Sequence, residues 1–243
     1  MKKTQGRPGI AMIELIFSIV IIGIVLMSIP TLIKTAQTSG IVAIQQEAIN
    51  EAATHLNMVM GYHWDEACTD DHFLDPIVSV TAGDAELNEY NGSGRRMGTP
   101  HASKRSFLRA DGSRMAASSI GSDEGRGNED DVDDFDGTSY HLTYETDAKV
   151  TYTRENDYVE TGTDILIATS VTYGTDTPTT GNYRTSASVS FPLPTHATTG
   201  TTNIKNITVT LQDNSSITEL SKKIILRAFS CNIGATDLAT RSF

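Results

Sequence analysis

The chain has 243 residues and a formal net charge of -11 at pH 7, with 30 acidic against 19 basic side chains. A length of this order suggests one or two domains. A chain this acidic repels phosphate backbones, which excludes nucleic acid as a main partner. Hydrophobic residues are 38% of the chain, below the usual share, and many of them lie near the N-terminus. The remainder is polar and can bury only a modest core.

The first predicted element is an apolar helix. Residues 10–33 read IAMIELIFSIVIIGIVLMSIPTLI and contain one charged side chain, Glu14. A transmembrane helix needs about 20 apolar residues, so this run is long enough to span a bilayer. Lys2, Lys3 and Arg7 precede it, and the positive-inside tendency places them in the cytoplasm. The rest of the chain is therefore predicted to lie across the membrane.

Two simpler interpretations of this segment are a cleaved secretory signal peptide and a plain signal anchor. A signal peptide has a shorter apolar core that ends in a small-residue cleavage site such as A-x-A, and Ser28-Ile29-Pro30 matches that pattern poorly. A plain anchor does not explain Glu14, because a carboxylate near the start of a membrane segment is costly and usually has a functional partner.

Residues 7–16, with the sequence RPGIAMIELI, resemble the leader of type IV prepilins and type II secretion pseudopilins. The resemblance implies that a membrane prepilin peptidase cuts after Gly9 and methylates the new N-terminus at Ile10. It also implies that Glu14 is the assembly residue. Ile10 replaces the phenylalanine or methionine usual in the family, and Ala11 replaces the usual threonine or serine. The resemblance thus predicts a leader at 1–9 and a transmembrane helix at 10–33.

The chemistry of the cut N-terminus agrees with this interpretation. After cleavage, Ile10 carries a free ammonium at the membrane face. A carboxylate in lipid needs a cation, and the N-terminal ammonium of a neighbouring subunit can supply it to Glu14. Such a pair sets the axial register between subunits even if it adds little net stability. The implied partners are other pilin or pseudopilin subunits, the prepilin peptidase, an inner-membrane assembly platform and membrane lipid.

The helical pattern continues beyond the membrane segment. Residues 34–61 are predicted to form an amphipathic continuation, because apolar side chains recur at steps of three and four residues. A helix from Ile10 to Met60 would be ~75 Å long at the usual rise per residue. Pro30 is the likeliest break if the segment forms two helices instead of one. The recurring apolar positions are Ile41, Ile44, Ala48, Ala52, Leu56 and Val59.

The last predicted region, residues 62–243, is a β-rich antiparallel head. Alternating apolar and polar residues, separated by Asp, Gly, Asn and Pro clusters, are typical of such strands. The predicted strands are 140–144, 150–153, 165–173, 187–191, 204–211 and 224–230. The expected fold is therefore α+β, with a long helix packed on a β head, and it resembles that of pilins. Residues 134–137 and 226–232 resemble, more specifically, minor pilin-like proteins of the mannose-sensitive-haemagglutinin type.

A turn-rich, charged loop region is predicted at residues 83–137. Its basic part, 95–114, and its acidic part, 123–136, are expected to offset each other's charge. The acidic part is either a solvated loop or a calcium site, because closely spaced carboxylates can supply the six to eight oxygens that calcium binds. The spacing does not match an EF-hand. The candidate ligands are Asp131, Asp133, Asp134 and Asp136.

The chain contains two cysteines, Cys68 and Cys231. A head outside the cytosol would lie in an oxidising compartment, which favours a disulfide between them over two separate thiols.

The sequence contains no nucleophile elbow, Walker A or dinucleotide motif, so it indicates a structural protein and not an enzyme. The leading hypothesis is a minor pilin or pseudopilin of a type IV pilus-like or type II secretion filament. It would be a single-pass inner-membrane protein with a periplasmic head, later assembled into a filament. The alternative hypothesis is a filament-tip adhesin, a binding module that uses residues 83–137 as its contact surface. No cofactor is expected other than the possible calcium.

Overall fold

The computed structural model describes residues 8–68, 76–100, 105–109, 111–121, 128–144, 163–191, 193, 197–213 and 222–234. It contains one long helix, α1 (Pro8–Val59), followed by four strands: β1 (Ser139–Tyr144), β2 (Thr163–Gly174), β3 (Ile204–Asp213) and β4 (Ile224–Cys231). The predicted α+β fold, with an N-terminal helix and an antiparallel β head, is confirmed. The chain divides into two compact units, residues 1–47 and 48–243.

The four strands form one antiparallel sheet in the order β1-β2-β3-β4. Side chains alternate between the two faces of a strand, so residues aligned in the register share a face. Tyr173 is aligned with Lys205, and Val171 is aligned with Ile207. All four of these side chains are buried, which identifies the covered face of the sheet.

Four of the six predicted strands are present, at positions close to those expected. The predicted strand at 150–153 lies outside the described residues. The predicted strand at 187–191 is wrong, because that segment forms only an isolated bridge between Thr180 and Ser190. Residues 187–190 are exposed, so their apolar-polar alternation has no neighbouring layer that would bury one face.

Helix α1 runs without interruption through Pro30, which contradicts the alternative of two separate helices. Its C-terminal part packs into the head through small side chains. Ala48, Ala52 and Val59, the last residue of the helix, are all buried. Ile41 and Ile44 are partly buried. The predicted amphipathic pattern is therefore present in the second half of the helix.

The core of the head joins the end of α1 to the covered face of the sheet. Buried Val59 packs with Val171 of β2, Ile207 of β3 and two residues of the segment just before β1. Leu56 lies against this group. The two loop residues, Val132 and Phe135, belong to the short 3-10 turn region at Asp133–Phe135. Burial of apolar side chains at about 1.5–3 kcal/mol each is the main force holding α1 to the sheet.

Candidate functional site

The first half of α1 carries an exposed apolar surface. Every large apolar side chain from Met12 to Ile33 is exposed, from 41% at Ile29 to 82% at Met27. The helix is long and apolar enough to cross a membrane, and none of its most apolar window is buried. An exposed apolar surface of this extent marks a membrane or protein contact.

The polar side chains inside this segment bond within the helix. Ser18 Oγ donates to the Glu14 carbonyl at 2.8 Å, Ser28 Oγ to the Val25 carbonyl at 2.8 Å and Thr31 Oγ1 to the Ser28 carbonyl at 2.8 Å. These bonds satisfy hydroxyl groups that lipid could not. The carboxylate of Glu14 is exposed and is the one charged side chain of residues 10–33.

The predicted cleavage site lies at the very start of α1. Pro8 is the first helical residue, a position that suits proline because its missing N–H would have no partner there. Gly9 and Ile10 follow it in the first turn. Lys2, Lys3 and Arg7, the basic residues predicted to face the cytoplasm, lie outside the described residues.

No disulfide joins Cys68 and Cys231 in this structure, contrary to the prediction. Cys68 packs with Tyr173 on the covered face of the sheet, and its Sγ donates to the Pro76 carbonyl at 3.5 Å. Cys231 is aligned with Ile204 of β3, whose side chain points to the face opposite that of the next residue, Lys205. The strand register therefore directs the Cys231 side chain away from the face of the sheet on which Cys68 packs.

The four aspartates predicted as calcium ligands are hydrogen-bonded within the protein. Asp131 Oδ1 accepts from the backbone N–H groups of Asp133 at 2.8 Å and Asp134 at 3.2 Å. Asp134 Oδ2 accepts from the Asp130 N–H at 3.0 Å, and Asp136 Oδ1 from the Val171 N–H at 2.8 Å. Among the described residues, no group of three or more His, Cys, Asp or Glu side chains is arranged to hold a metal ion.

Lys205 of β3 is the centre of a buried ionic site that the sequence analysis missed. Its side chain is fully buried, and its Nζ donates to Asp133 Oδ1, to Asp65 Oδ2 at 3.2 Å and to the Trp64 carbonyl at 2.6 Å. Nζ also lies 4.4 Å from the centre of the Trp64 ring and 5.5 Å from that of Tyr173. We call Lys205, Asp65, Asp131, Asp133 and Ser118 the Lys205 cluster.

Ser118 links the carboxylates of Asp65 and Asp133. Its Oγ lies within hydrogen-bond distance of both, at 3.1 Å from Asp65 Oδ2 and 2.9 Å from Asp133 Oδ2. Its backbone N–H donates to Asp65 Oδ2 at 3.0 Å, and its carbonyl accepts from the Tyr173 hydroxyl at 2.8 Å. The cluster thus ties three distant loops to the middle of the sheet.

The protonation of Asp131 follows from its surroundings. Burial raises the pKa of this carboxyl to about 8, with further contributions from a hydrogen bond to the Asp133 side chain and from the charge of Asp133. The raised pKa favours the protonated form of this carboxyl. Burial is also the main cause that raises the pKa of the Tyr173 hydroxyl, with the charges of Asp65 and Asp133 acting in the same direction.

The alternation of buried and partly exposed residues along β3 indicates that the Lys205 side chain points into the core. The buried residues Ile207, Val209 and Leu211 occupy every second position, and Lys205 continues that series toward the N-terminus of the strand. A lysine in an inward position requires a buried counter-charge. The predicted offset between the basic and acidic parts of the loop region does not describe this cluster, because the cation for Asp133 comes from β3.

A second cation, the partly buried Arg96, fastens the loop region to the strand ends. Its guanidinium donates to the carbonyl groups of Leu87 and Asn232 and to Asn203 Oδ1. Burial lowers the pKa of Arg96 to about 10 despite the charge of Asp176, so the side chain remains a cation at neutral pH. Its three acceptors belong to three separate segments of the chain, which gives the irregular loop a fixed position on the sheet.

Comparison of the chain with protein-family models, curated proteins and solved structures gives no match. The assignment of function therefore depends on the residues and the geometry of this chain alone.

His55 connects the end of α1 to the sheet and predicts a pH dependence. Its Nε2 lies 2.8 Å from Thr169 Oγ1, and its ring packs edge-on against Phe135 and Tyr140. Burial lowers the pKa of His55, partly opposed by the charge of Glu51. The folded state thus binds this proton less tightly than the unfolded state does.

We expect this histidine to destabilise the head in acid. Its stabilising contribution is complete above the unfolded pKa of about 6.5 and is lost as the pH falls through that value toward the lower folded pKa. A His55→Gln variant keeps a polar partner for Thr169 but does not titrate. Urea unfolding at pH 7.5 and pH 5 measures the effect: the variant should lose less stability between the two than the native chain. An equal loss would contradict the prediction.

Proposed function

We propose that this chain is a minor subunit of a type IV pilus-like or type II secretion filament, made as a prepilin and cut after Gly9. The observation that carries the proposal is the exposed apolar half of α1 with Glu14 near its start. The same helix ends within the core of a β head, so one element serves both membrane insertion and attachment of the head.

The apolar half of α1 would reside first in the inner membrane and later in the centre of a filament. Both environments are apolar, and both would cover side chains that the chain itself leaves exposed. Glu14 is unfavourable in either environment without a cation. The ammonium of a neighbouring subunit's Ile10 would provide that cation and would set the spacing between subunits.

The head would act as a rigid, non-catalytic body in the periplasm and on the filament surface. Two polar systems, a fully buried one around Lys205 and a partly buried one around Arg96, hold its irregular loops to the sheet. The partners of the chain would be other pilin or pseudopilin subunits, the prepilin peptidase, the inner-membrane assembly platform and lipid. Because the chain is longer than a major pilin usually needs to be, a minor subunit is the form we propose.

Cleavage after Gly9 is the direct test of this proposal. We expect protein purified from its native host to begin at Ile10 and to carry one methyl group on that nitrogen. Mass spectrometry of the N-terminal peptide measures both. A Gly9→Leu variant should retain Met1 or its immediate neighbours while still inserting into the membrane, because the apolar run at residues 10–33 is unchanged. An uncut N-terminus in the native chain, or a cut near Ser28, would reject the prepilin assignment.

A further inference from the structure

The Lys205 cluster contains the groups that an amide-forming condensation requires. Lys205 and Asp65 are 0% exposed, and Asp133 is 2% exposed. The Lys205 amine and the Asp133 carboxyl are hydrogen-bonded to each other across 72 residues of sequence. The rings of Trp64 and Tyr173 lie beside the amine and limit the access of water. An amine held against a carboxyl in such a site has a high effective concentration for reaction.

We propose that Lys205 Nζ and Asp133 Cγ form an intramolecular isopeptide bond in the folded protein, with Asp131 and Asp65 transferring the protons. The same buried amine has two carboxyl neighbours, and their surroundings differ. Asp133 Oδ2 receives a hydrogen bond from Ser118 Oγ at 2.9 Å, which withdraws electron density from its carbon. Asp65 instead accepts from the N–H groups of Ala67 at 3.1 Å and Ser118 at 3.0 Å, and lies 3.2 Å from Nζ.

The reaction balances without any further reagent. A proton passes from Nζ to the Asp133 carboxylate along their hydrogen bond, which leaves a neutral amine and a carboxylic acid. The amine electron pair then attacks Asp133 Cγ and forms the C–N bond. Asp65 accepts the second proton from nitrogen, and Asp131 donates a proton to the departing oxygen. The C–O bond breaks, one water leaves, and a proton returning from Asp65 to Asp131 restores both groups. Nothing is oxidised or reduced.

Asp131 is placed for the role of proton donor. Its Oδ1 accepts from the backbone N–H groups of Asp133 at 2.8 Å and Asp134 at 3.2 Å, which hold this buried carboxyl in the same turn as Asp133. The bond would join β3 covalently to the 3-10 turn at Asp133–Phe135 and would close a large loop across the head.

The mass of the chain tests the proposal directly. We expect the full-length chain, purified in detergent and then denatured, to be lighter by one water than its unlinked sequence, about 18 Da. Trypsin does not cut at an acylated lysine, so digestion should yield one branched peptide that contains both Lys205 and Asp133. Fragmentation of that peptide locates the bond and separates it from loss of water elsewhere. Separate, unmodified Lys205 and Asp133 peptides would overturn the proposal and leave an ion pair, and a branch at Asp65 would overturn the assignment to Asp133.

Three variants examine the reacting groups. Asp133→Asn should lose ammonia in place of water, a decrease of about 17 Da, and give the same branched peptide. Asp131→Asn should keep the backbone hydrogen bonds of Asp131 but yield unlinked peptides, because an amide is a poor proton donor. Asp134→Asn is the matched control: it alters a buried aspartate one residue from Asp133 that makes no bond to Lys205, and linkage should be complete. Trp64 fluorescence checks folding of each variant, and full linkage in folded Asp131→Asn would overturn the role of Asp131.

Discussion

Replacing Lys205 by methionine is expected to destabilise the head by about 3–5 kcal/mol, the typical cost of removing one partner from a buried ion pair. Methionine fills nearly the same volume but offers no charge and no donor. The substitution leaves the carboxylates of Asp65 and Asp133 buried without a cation and leaves the Trp64 carbonyl without its donor. The loss is larger if Lys205 is covalently bound, because the variant then also lacks a cross-link.

Urea unfolding of the full-length chain in detergent measures this effect, with fluorescence of the buried Trp64 as the signal. The matched control is Lys223→Met, which removes an exposed lysine just before β4 and should change stability by no more than about 0.5 kcal/mol. Adding Asp65→Asn and Asp133→Asn to the Lys205→Met variant should restore part of the loss, because the uncompensated charges are removed. A Lys205→Met chain as stable as the control would show that the cluster contributes nothing to folding.

The second large effect concerns Glu14. A Glu14→Ala chain should insert into the membrane and lose its leader normally, because the substitution makes the membrane segment more apolar and leaves Gly9 unchanged. Its incorporation into filaments should fall about tenfold or more, which corresponds to at least about 1.4 kcal/mol of lost pairing between subunits. The cause is the missing carboxylate partner for the neighbour's N-terminal ammonium.

Three quantities in one strain test this prediction: the fraction of processed chain, the amount in the membrane and the amount in sheared filaments. Glu47→Ala is the matched control, since it removes an exposed glutamate from the same helix but outside the apolar run. The control should assemble like the native chain. Equal assembly of the Glu14→Ala chain would reject the role of Glu14, and loss of the chain from the membrane would show that Glu14 acts before assembly.

Local patterns predicted the main elements correctly because they depend on neighbouring residues. The apolar run and the three- and four-residue steps identified α1, and a two-residue alternation identified β1, β2, β3 and β4. The same alternation failed at residues 187–191, where no second layer covers the segment. The apolar-polar pattern indicates which face of an element is apolar, but it does not indicate whether another layer packs on that face.

The sequence by itself determined the long helix, its membrane-compatible half, the position of Glu14 and the antiparallel head. Only the tertiary structure decided the partners of the buried charges. Lys205 lies 140 residues from Asp65 and 72 from Asp133, and no local spacing relates them. The register likewise decided that Cys231 faces away from the side where Cys68 packs, although the compartment argument favoured a disulfide. Ion pairs and disulfides form only between groups that the fold brings within a few ångströms of each other. The partners of a charged residue or a cysteine therefore depend on how distant segments pack, and not on the residue's position in the sequence.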